Sequence, residues 1–331
     1  MYDTDLLLMP ETLTSSFCPM IPAVSIVIPA YEEEDRLSQP LRQIFAFLEA
    51  EKLAAEVIVV DDGSTDGSAE AARAFGERVR VIEQPNSGVS AARNAGISAA
   101  QGEFVAHLDG DDLMARDCVE ARVGLLAADG GLGICVGSYR VTDSKGVPTG
   151  RIDPPRTAPP GDHFRLALRG NWGATCGVVY RRRALELCGG FDPLLKVCED
   201  WDLFIRICAR FRFVYDPVPR ADYRMVGGSL SRDLLAMSDA AVLMMKKNRI
   251  LARNRLAYAL DSTTGLYVHI VGMIFGRLRT GQLGPGGTRR VLALALRRPL
   301  ILLCLLLWML RAARNRVLWA LRLRERPQTH G

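Results

Sequence analysis

Residues 24–30 read VSIVIPA, a β-branched and apolar run broken by a single serine. Such a run predicts a strand buried on both faces. In the next stretch, YEEEDRLSQPLRQIFAFLEA, the residues Leu37, Leu41, Ile44, Phe45 and Leu48 share one helical stripe. EVIVV at 56–60 predicts a second strand, which runs into DDGSTDGS and then an alanine-rich helix from about 69 to 75. RVRVIE predicts a short third strand. QPNSGVSAARNAGISAAQG predicts a helix that starts after Ser and Gly and stops near Gly102. FVAHLDGDD at 104–112 predicts a fourth strand. Strand and helix alternate, so the N-terminal half is expected to be an α/β domain with a mostly parallel sheet flanked by helices.

Open α/β sheets collect ligands beyond the carboxyl ends of their strands. Those ends carry Pro29-Ala30-Tyr31, then Asp61-Asp62, then Asp109, Asp111 and Asp112. No GxGxxG follows a strand and no Walker lysine motif appears, which argues against a dinucleotide fold of the usual kind. The edge is acidic, so it suits a diphosphate only where a divalent cation bridges the two. Carboxylates this close repel, and a positive group or a proton should sit among them. Mg2+ and Mn2+ favour oxygen donors, with one or two Asp side chains plus phosphates as the usual set. Asp109 and Asp111 have DxD spacing, and a strand end would point both the same way. The alternative is an Asp-rich turn with solvated carboxylates. His107, inside the strand, is expected to be a satisfied core histidine.

Length allows one large domain with an appendage, or two modest domains, in 331 residues. Eight cysteines show neither a CxxC pair nor zinc-ligand spacing, which suggests reduced thiols in a cytosolic protein. MYDTDLLLMPETLTSS has acids where an export signal needs bases. Charge divides the chain more sharply than its net of +5 implies. Residues 228–331 hold 18 Lys and Arg against 4 Asp and Glu, which leaves the rest with 24 bases and 33 acids. A basic tail points to an anionic surface. Nucleic acid is disfavoured because stacking aromatics and recognition motifs are missing. Residues 233–260 predict a helix with a basic end, and GQLGPGG at 281–287 predicts a linker. Between Arg298 and Arg311 the apolar run holds 12 residues, short of the roughly 20 a membrane span needs. An interfacial helix anchored by Trp308 and Trp319 on the cytoplasmic face of a membrane is the expectation, with a helix packed on the protein as the alternative.

Five blocks stand in order over residues 23–231: VSIVIPAYEEEDRL, VIVVDDGSTDGS, NSGVSAARNAGISAAQGEFVAHLDGDD, RRALELCGGFDPLL and EDWDLFIRI. Together they resemble family 2 glycosyltransferases of the GT-A fold. The resemblance implies an N-terminal extension over 1–22, a GT-A domain over 23–231 and a basic helical extension over 232–331. It implies an enzyme that binds a nucleoside diphosphate sugar, UDP- or dTDP-linked by preference, and inverts the anomeric centre with Mn2+ or Mg2+. The acceptor would be a glycan, a glycolipid or a lipid-linked hydroxyl. By the same resemblance, Tyr31 and Asp62 contact the base, and Pro29, Ala30 and Glu33 belong to the donor loop. Asp61 would brace that loop or a ribose hydroxyl. Arg93 and Arg224 lie near the donor, with a buried ion pair to the acidic edge as the alternative for Arg93. Asp111 would hold the metal, Asp109 would contact the metal and the sugar or ribose, and Asp112 would support them.

Asp200 resembles the family's catalytic base, with Glu199 and Trp201 supporting it. The alternative places these acids at a helix start, where they complement its dipole. Asn171 and Trp172 would line the acceptor cleft or simply pack, and stand outside the catalytic set. Two departures matter. Glu32 follows the tyrosine where many members have Asn, and Val226 stands where a histidine often helps hold the metal. A nucleotidyltransferase is the competing activity, although it would want a glycine- and lysine-rich loop. A catalytically silent sugar-nucleotide-binding scaffold is the other competitor. A processive synthase is disfavoured, because no QxxRW block appears.

Overall fold

The computed structural model describes residues 23–51, 53–110, 112–154, 161–225, 234–248, 250–251, 258 and 289. Two compact units share the chain. The first draws on Met1–Ala158, Gly173–Pro193 and Phe211–Met225, and the second on Pro159–Trp172, Leu194–Arg210 and Val226–Gly331.

In the first unit, strand β1 (Val24–Ala30) is buried along its whole length, as its unbroken apolar run requires. Helix α1 (Glu34–Glu51) follows, then β2 (Ala55–Asp61), α2 (Ser68–Arg73), β3 (Val79–Glu83), α3 (Val89–Ala99) and β4 (Phe104–His107). After them come β5 (Leu113–Met114), α4 (Cys118–Ala127), β6 (Leu132–Gly137), β7 (Tyr139–Thr142) and β8 (Pro148–Asp153). The unit is completed by β9 (Val179–Arg181), α6 (Arg182–Cys188), β10 (Arg212–Asp216) and β11 (Ala221–Arg224). Seven strands form one sheet in the order β10-β6-β9-β4-β1-β2-β3, and four form a second in the order β5-β11-β7-β8. The large sheet is parallel except where β9 is inserted between β4 and β6.

Strand alternation sends Ile26 and Ile28 into a core with Leu37, Leu41, Ile44 and Phe45 of α1. Val27 lies against Gly96 of α3, where an added Cβ would come within 2.3 Å of Val27 Cγ1. Only glycine lets α3 sit that close, and this fixes the height at which the helix presents its next polar residues. The strand order reverses at β1 and β4. A crevice at that switch is the ligand position that α/β sheets favour.

The second unit contains α5 (His163–Arg169), α7 (Glu199–Cys208) and α8 (Leu234–Asn248). Asp162 caps α5 by accepting from the backbone N–H groups of Phe164 and Arg165. Asp202 ties α7 to α8. It is fully buried, and its oxygens accept from Arg206 Nε, Lys247 Nζ and Asn248 Nδ2 at 2.8, 3.0 and 2.7 Å. Among the described residues no helix is long and apolar enough to cross a membrane. Beyond α8 the described residues are 250–251, Tyr258 and Arg289, so the stretch around Trp308 and Trp319 expected to lie on a membrane falls outside them.

Candidate active site

The strand ends of the first unit are laced together before any ligand is considered. Glu32 adopts a left-handed backbone at φ 54°, and its Oε1 accepts from the backbone N–H and the hydroxyl of Thr65. Few residues except Gly, Asn and Asp take that conformation readily, so Glu32 fills a position suited to Asn and adds its own brace. The N–H of Glu33 donates to Ser68 Oγ, and Glu34 exchanges bonds with Asp66 and Gly67. The carboxylate of Glu33 pairs with Arg36 at 2.8 Å. Pro29 and Ala30 are buried in β1, opposite Val60 and Asp61 of β2. Tyr31, by contrast, is 50% exposed.

Asp61 and Asp62 divide the work between them. Asp62 is buried and fully engaged: Oδ1 accepts from Gln84 Nε2 and Ser87 N, and Oδ2 from Gly88 N. It thereby anchors the loop that leads into α3. Asp61 is equally buried, yet its Oδ1 has no hydrogen-bond partner among the described residues. Ser90 Oγ, in the first turn of α3, is likewise buried without one. Buried polar atoms are nearly always satisfied, so each exception calls for an explanation.

The acidic turn after β4 has its positive group. Strand β4 stops at His107, so strand alternation does not aim Asp109; a turn does, closed by Asp112 N donating to Asp109 O at 3.0 Å. Arg93, on α3 and 3% exposed, donates through Nη2 to both carboxylate oxygens of Asp109. Its guanidinium also stacks on Phe191 at 5.2 Å. Asn94 holds that ring in place by donating to Phe191 O and accepting from Phe191 N, each at 2.8 Å. Asp112 is buried and accepts from the backbone N–H of Arg224, which β5–β11 pairing brings alongside. Asp111 and Val226 lie outside the described residues. Burial, and then the charges of Asp112 and Asp109, push the Cys176 thiol well above its usual range. His107 is a core residue as expected but not a satisfied one: neither ring nitrogen has a hydrogen-bond partner among the described residues. The rings of Tyr180 and Phe191 meet it edge-on instead. Burial and the nearby Arg93 charge hold it neutral, well below the ordinary histidine range.

In the second unit, the EDWD block opens α7. Cys198 precedes the helix in a left-handed conformation at φ 62°, a strained choice for a residue with a side chain. Asp200 Oδ1 accepts from Trp201 N at 2.7 Å, where first-turn N–H groups lack helical acceptors. Its Oδ2 accepts from Asn171 Nδ2 at 2.8 Å. Glu199 is buried at 9% exposure. Trp201 is 1% exposed and donates from its indole to Ala167 O of α5.

Comparison with known proteins gives the family of the first unit's sequence. The profile described as "Glycosyl transferase family 2" matches residues 25–187. Residues 25–187 belong to that family. This chain is 41% identical over 100 residues to the uncharacterized glycosyltransferase EpsJ of Bacillus subtilis, covering 28% of this chain and 27% of that protein. It is 29% identical over 198 residues to the chondroitin synthase of Pasteurella multocida, covering 56% of this chain. The matched stretch spans only 19% of that synthase. The fold of this chain resembles that of the mannosyltransferase PcManGT from Pyrobaculum calidifontis, solved with GDP-Man and Mn2+, at a TM-score of 0.59 and 21% identity. That likeness covers 90% of this chain and 88% of the other, and it establishes the GT-A fold.

Proposed function

We propose that this family 2 chain is a metal-dependent inverting glycosyltransferase. It moves a sugar from a UDP- or dTDP-linked donor to a hydroxyl of a glycan, a glycolipid or a lipid-linked acceptor in one displacement. The observation that carries the proposal is the unsatisfied, buried Asp61 Oδ1 at the ligand-collecting edge of the parallel sheet. A carboxylate left in that state suits a donor group arriving from outside, such as a base N–H or a ribose hydroxyl. Tyr31 at the end of β1, with Pro29 and Ala30 beneath it, would flank the base. Asp62 and Glu33 would brace this pocket through the contacts they already make.

Oxygen donors are what Mg2+ and Mn2+ favour, and the turn after β4 offers carboxylates alone. The family resemblance assigns Asp111 to the cation with Asp109 beside it; Asp109 is also engaged by Arg93, and Asp112 accepts from Arg224 N. A cation there would offset the charge of the departing nucleoside diphosphate. Arg93 would then hold Asp109 against the ribose or sugar, and the Arg224 side chain would face the diphosphate.

Asp200 is assigned as the base. Its carboxylate would take the acceptor hydroxyl's proton as the new bond to the anomeric carbon forms and the bond to the diphosphate breaks. Each oxygen has one donor in the bonds given above, and a carboxylate oxygen has capacity for more. Glu199 and Trp201 would shape the helix start that presents it. The basic tail supports a peripheral place on an anionic, cytoplasmic membrane face.

The test is nucleoside diphosphate release from a panel of UDP- and dTDP-hexoses with Mn2+ or Mg2+. Asp111→Ala should lose metal-dependent donor binding in calorimetry. Asp200→Asn should keep donor binding and lose transfer, and equal transfer by wild type and Asp200→Asn would remove Asp200 from the mechanism.

A further inference from the structure

Asn171 and Asp200 are 29 positions apart, yet Nδ2 of one meets Oδ2 of the other at 2.8 Å. The residue after each is a tryptophan, and both tryptophans bind the same helix. Trp172 donates from Nε1 to Leu166 O at 3.1 Å, and Trp201 from Nε1 to Ala167 O at 2.7 Å. These are consecutive carbonyls in the last turn of α5, where no helical N–H remains to receive them. Both indoles are buried, at 4% and 1% exposure. Two rigid side chains therefore register two chain segments on one helix end, and the residues just before them are brought face to face.

We propose that Asn171 is a positioning residue for Asp200, held in place by this tryptophan pair. The proposal rests on Asp200 being the base. The amide donates to one carboxylate oxygen while Trp201 N occupies the other, so the plane of the carboxylate is set from two sides. An N–H donor bonds a carboxylate more strongly than the neutral acid, so this contact favours the form able to accept a proton. Nothing in the composition of RGNWGATC marks this asparagine; the indole contacts give it its role.

The experiment follows the Asp200 carboxyl directly by carbon-13 NMR titration of aspartate-labelled full-length protein, with Asp200→Asn used to assign the signal. In Asn171→Ala the Asp200 midpoint should rise by about one pH unit, the size expected when a carboxylate loses one such donor. Titratable and charged groups on and beside the packed elements are His163, Arg165 and Arg169 of α5, Cys198 before α7, Glu199, Asp202 and Arg206 of α7, and Asp239, Lys246 and Lys247 of α8. They are the same in both proteins, so the difference isolates Asn171. Asn171→Leu, which keeps the branched shape but removes the amide, should show the same rise and covers the case in which Ala disturbs folding. With UDP-hexoses and octyl glycosides as probes, kcat should fall about tenfold while the donor KM stays within twofold. An unmoved midpoint in a folded variant overturns the inference, whatever the transfer assay shows. Transfer surviving in Asp200→Asn overturns the base assignment instead, and does so without touching the titration result.

Discussion

Nη2 of Arg93 lies 2.7 Å from one carboxylate oxygen of Asp109 and 2.9 Å from the other. One guanidinium nitrogen thus straddles the first acid of a turn that would otherwise gather three negative charges. Arg93 is sealed from solvent while Asp109 keeps 27% of its side chain open. The pair is therefore buried on the cationic side and accessible on the anionic side, which is the side a ligand would approach. Arg93→Met should leave Asp109 without its charge partner and lower stability by about 1–3 kcal/mol, the cost of an unmatched polar group that water can partly reach. Urea unfolding of Arg93→Met, Asp109→Asn and the double variant would measure this. If the contact matters, the double variant should lose less than the sum of the two single losses.

Asp202 should be the more damaging aspartate of the EDWD block to remove for stability, and Asp200 for activity. Asp202 is fully buried and answers Arg206, Lys247 and Asn248 together. Deleting one partner of a buried ionic group typically costs about 3–5 kcal/mol, because the cations are left behind. The Lys247 share is smaller, since that side chain is 38% exposed. Asp202→Ala should therefore lower the urea midpoint substantially, whereas Asp200→Asn should leave it close to wild type.

Much of the first unit was legible because its strands are long and apolar on both faces. VSIVIPA is β1 residue for residue, and EVIVV lies within β2. Short or inserted strands were not legible: β5 has two residues and β9 three, too few for periodicity to register. The site divides in the same way. Asp61 and Asp62 were found as a pair, but which of them braces the loop depends on Gln84, Ser87 and Gly88, and a sequence cannot show that convergence. Asn171 was set aside as a residue that could simply pack, and its bond to Asp200, 29 positions away, is not visible in the sequence. The role of Asp202 depends on Lys247 and Asn248, further off still.

His107 should make the protein acid-sensitive. Burial and Arg93 depress its proton affinity in the folded state, while the unfolded chain protonates near pH 6.5. Below that pH the unfolded state binds a proton that the native state refuses. Stability is thus fully present above about pH 6.5 and is lost as pH falls toward the depressed native value, by up to about 1.4 kcal/mol per pH unit. His107→Phe, which keeps an aromatic ring between Tyr180 and Phe191, removes this term. Denaturant melts at pH 7, 6 and 5 should show the variant gaining on wild type with each step down.

The basic tail gives an expectation that depends on salt. With 18 bases and 4 acids over residues 228–331, the full chain should cosediment with vesicles containing anionic phospholipid at low ionic strength. It should release as salt shortens the screening length from about 10 Å at 0.1 M toward about 3 Å at 1 M. Neutral phosphatidylcholine vesicles should retain much less protein. No pelleting with anionic vesicles at low salt would rule out the membrane role.

Asp61 and Asp62 should respond in opposite ways to the same substitution. Asp62→Ala strips the acceptor from two backbone N–H groups and the Gln84 amide. It should cost about 1–3 kcal/mol and loosen the start of α3. Asp61→Ala removes a buried oxygen that already lacks a donor, so its stability should be unchanged or slightly higher. Calorimetric titration with UDP should separate the two further: Asp61→Ala loses UDP affinity with the fold intact, and Asp62→Ala loses it only to the extent that the loop has melted. A protein that becomes more stable and less able to bind after one substitution has been carrying that unsatisfied carboxylate for its ligand. If Asp61→Ala bound UDP as tightly as wild type, the buried oxygen would have no part in donor recognition.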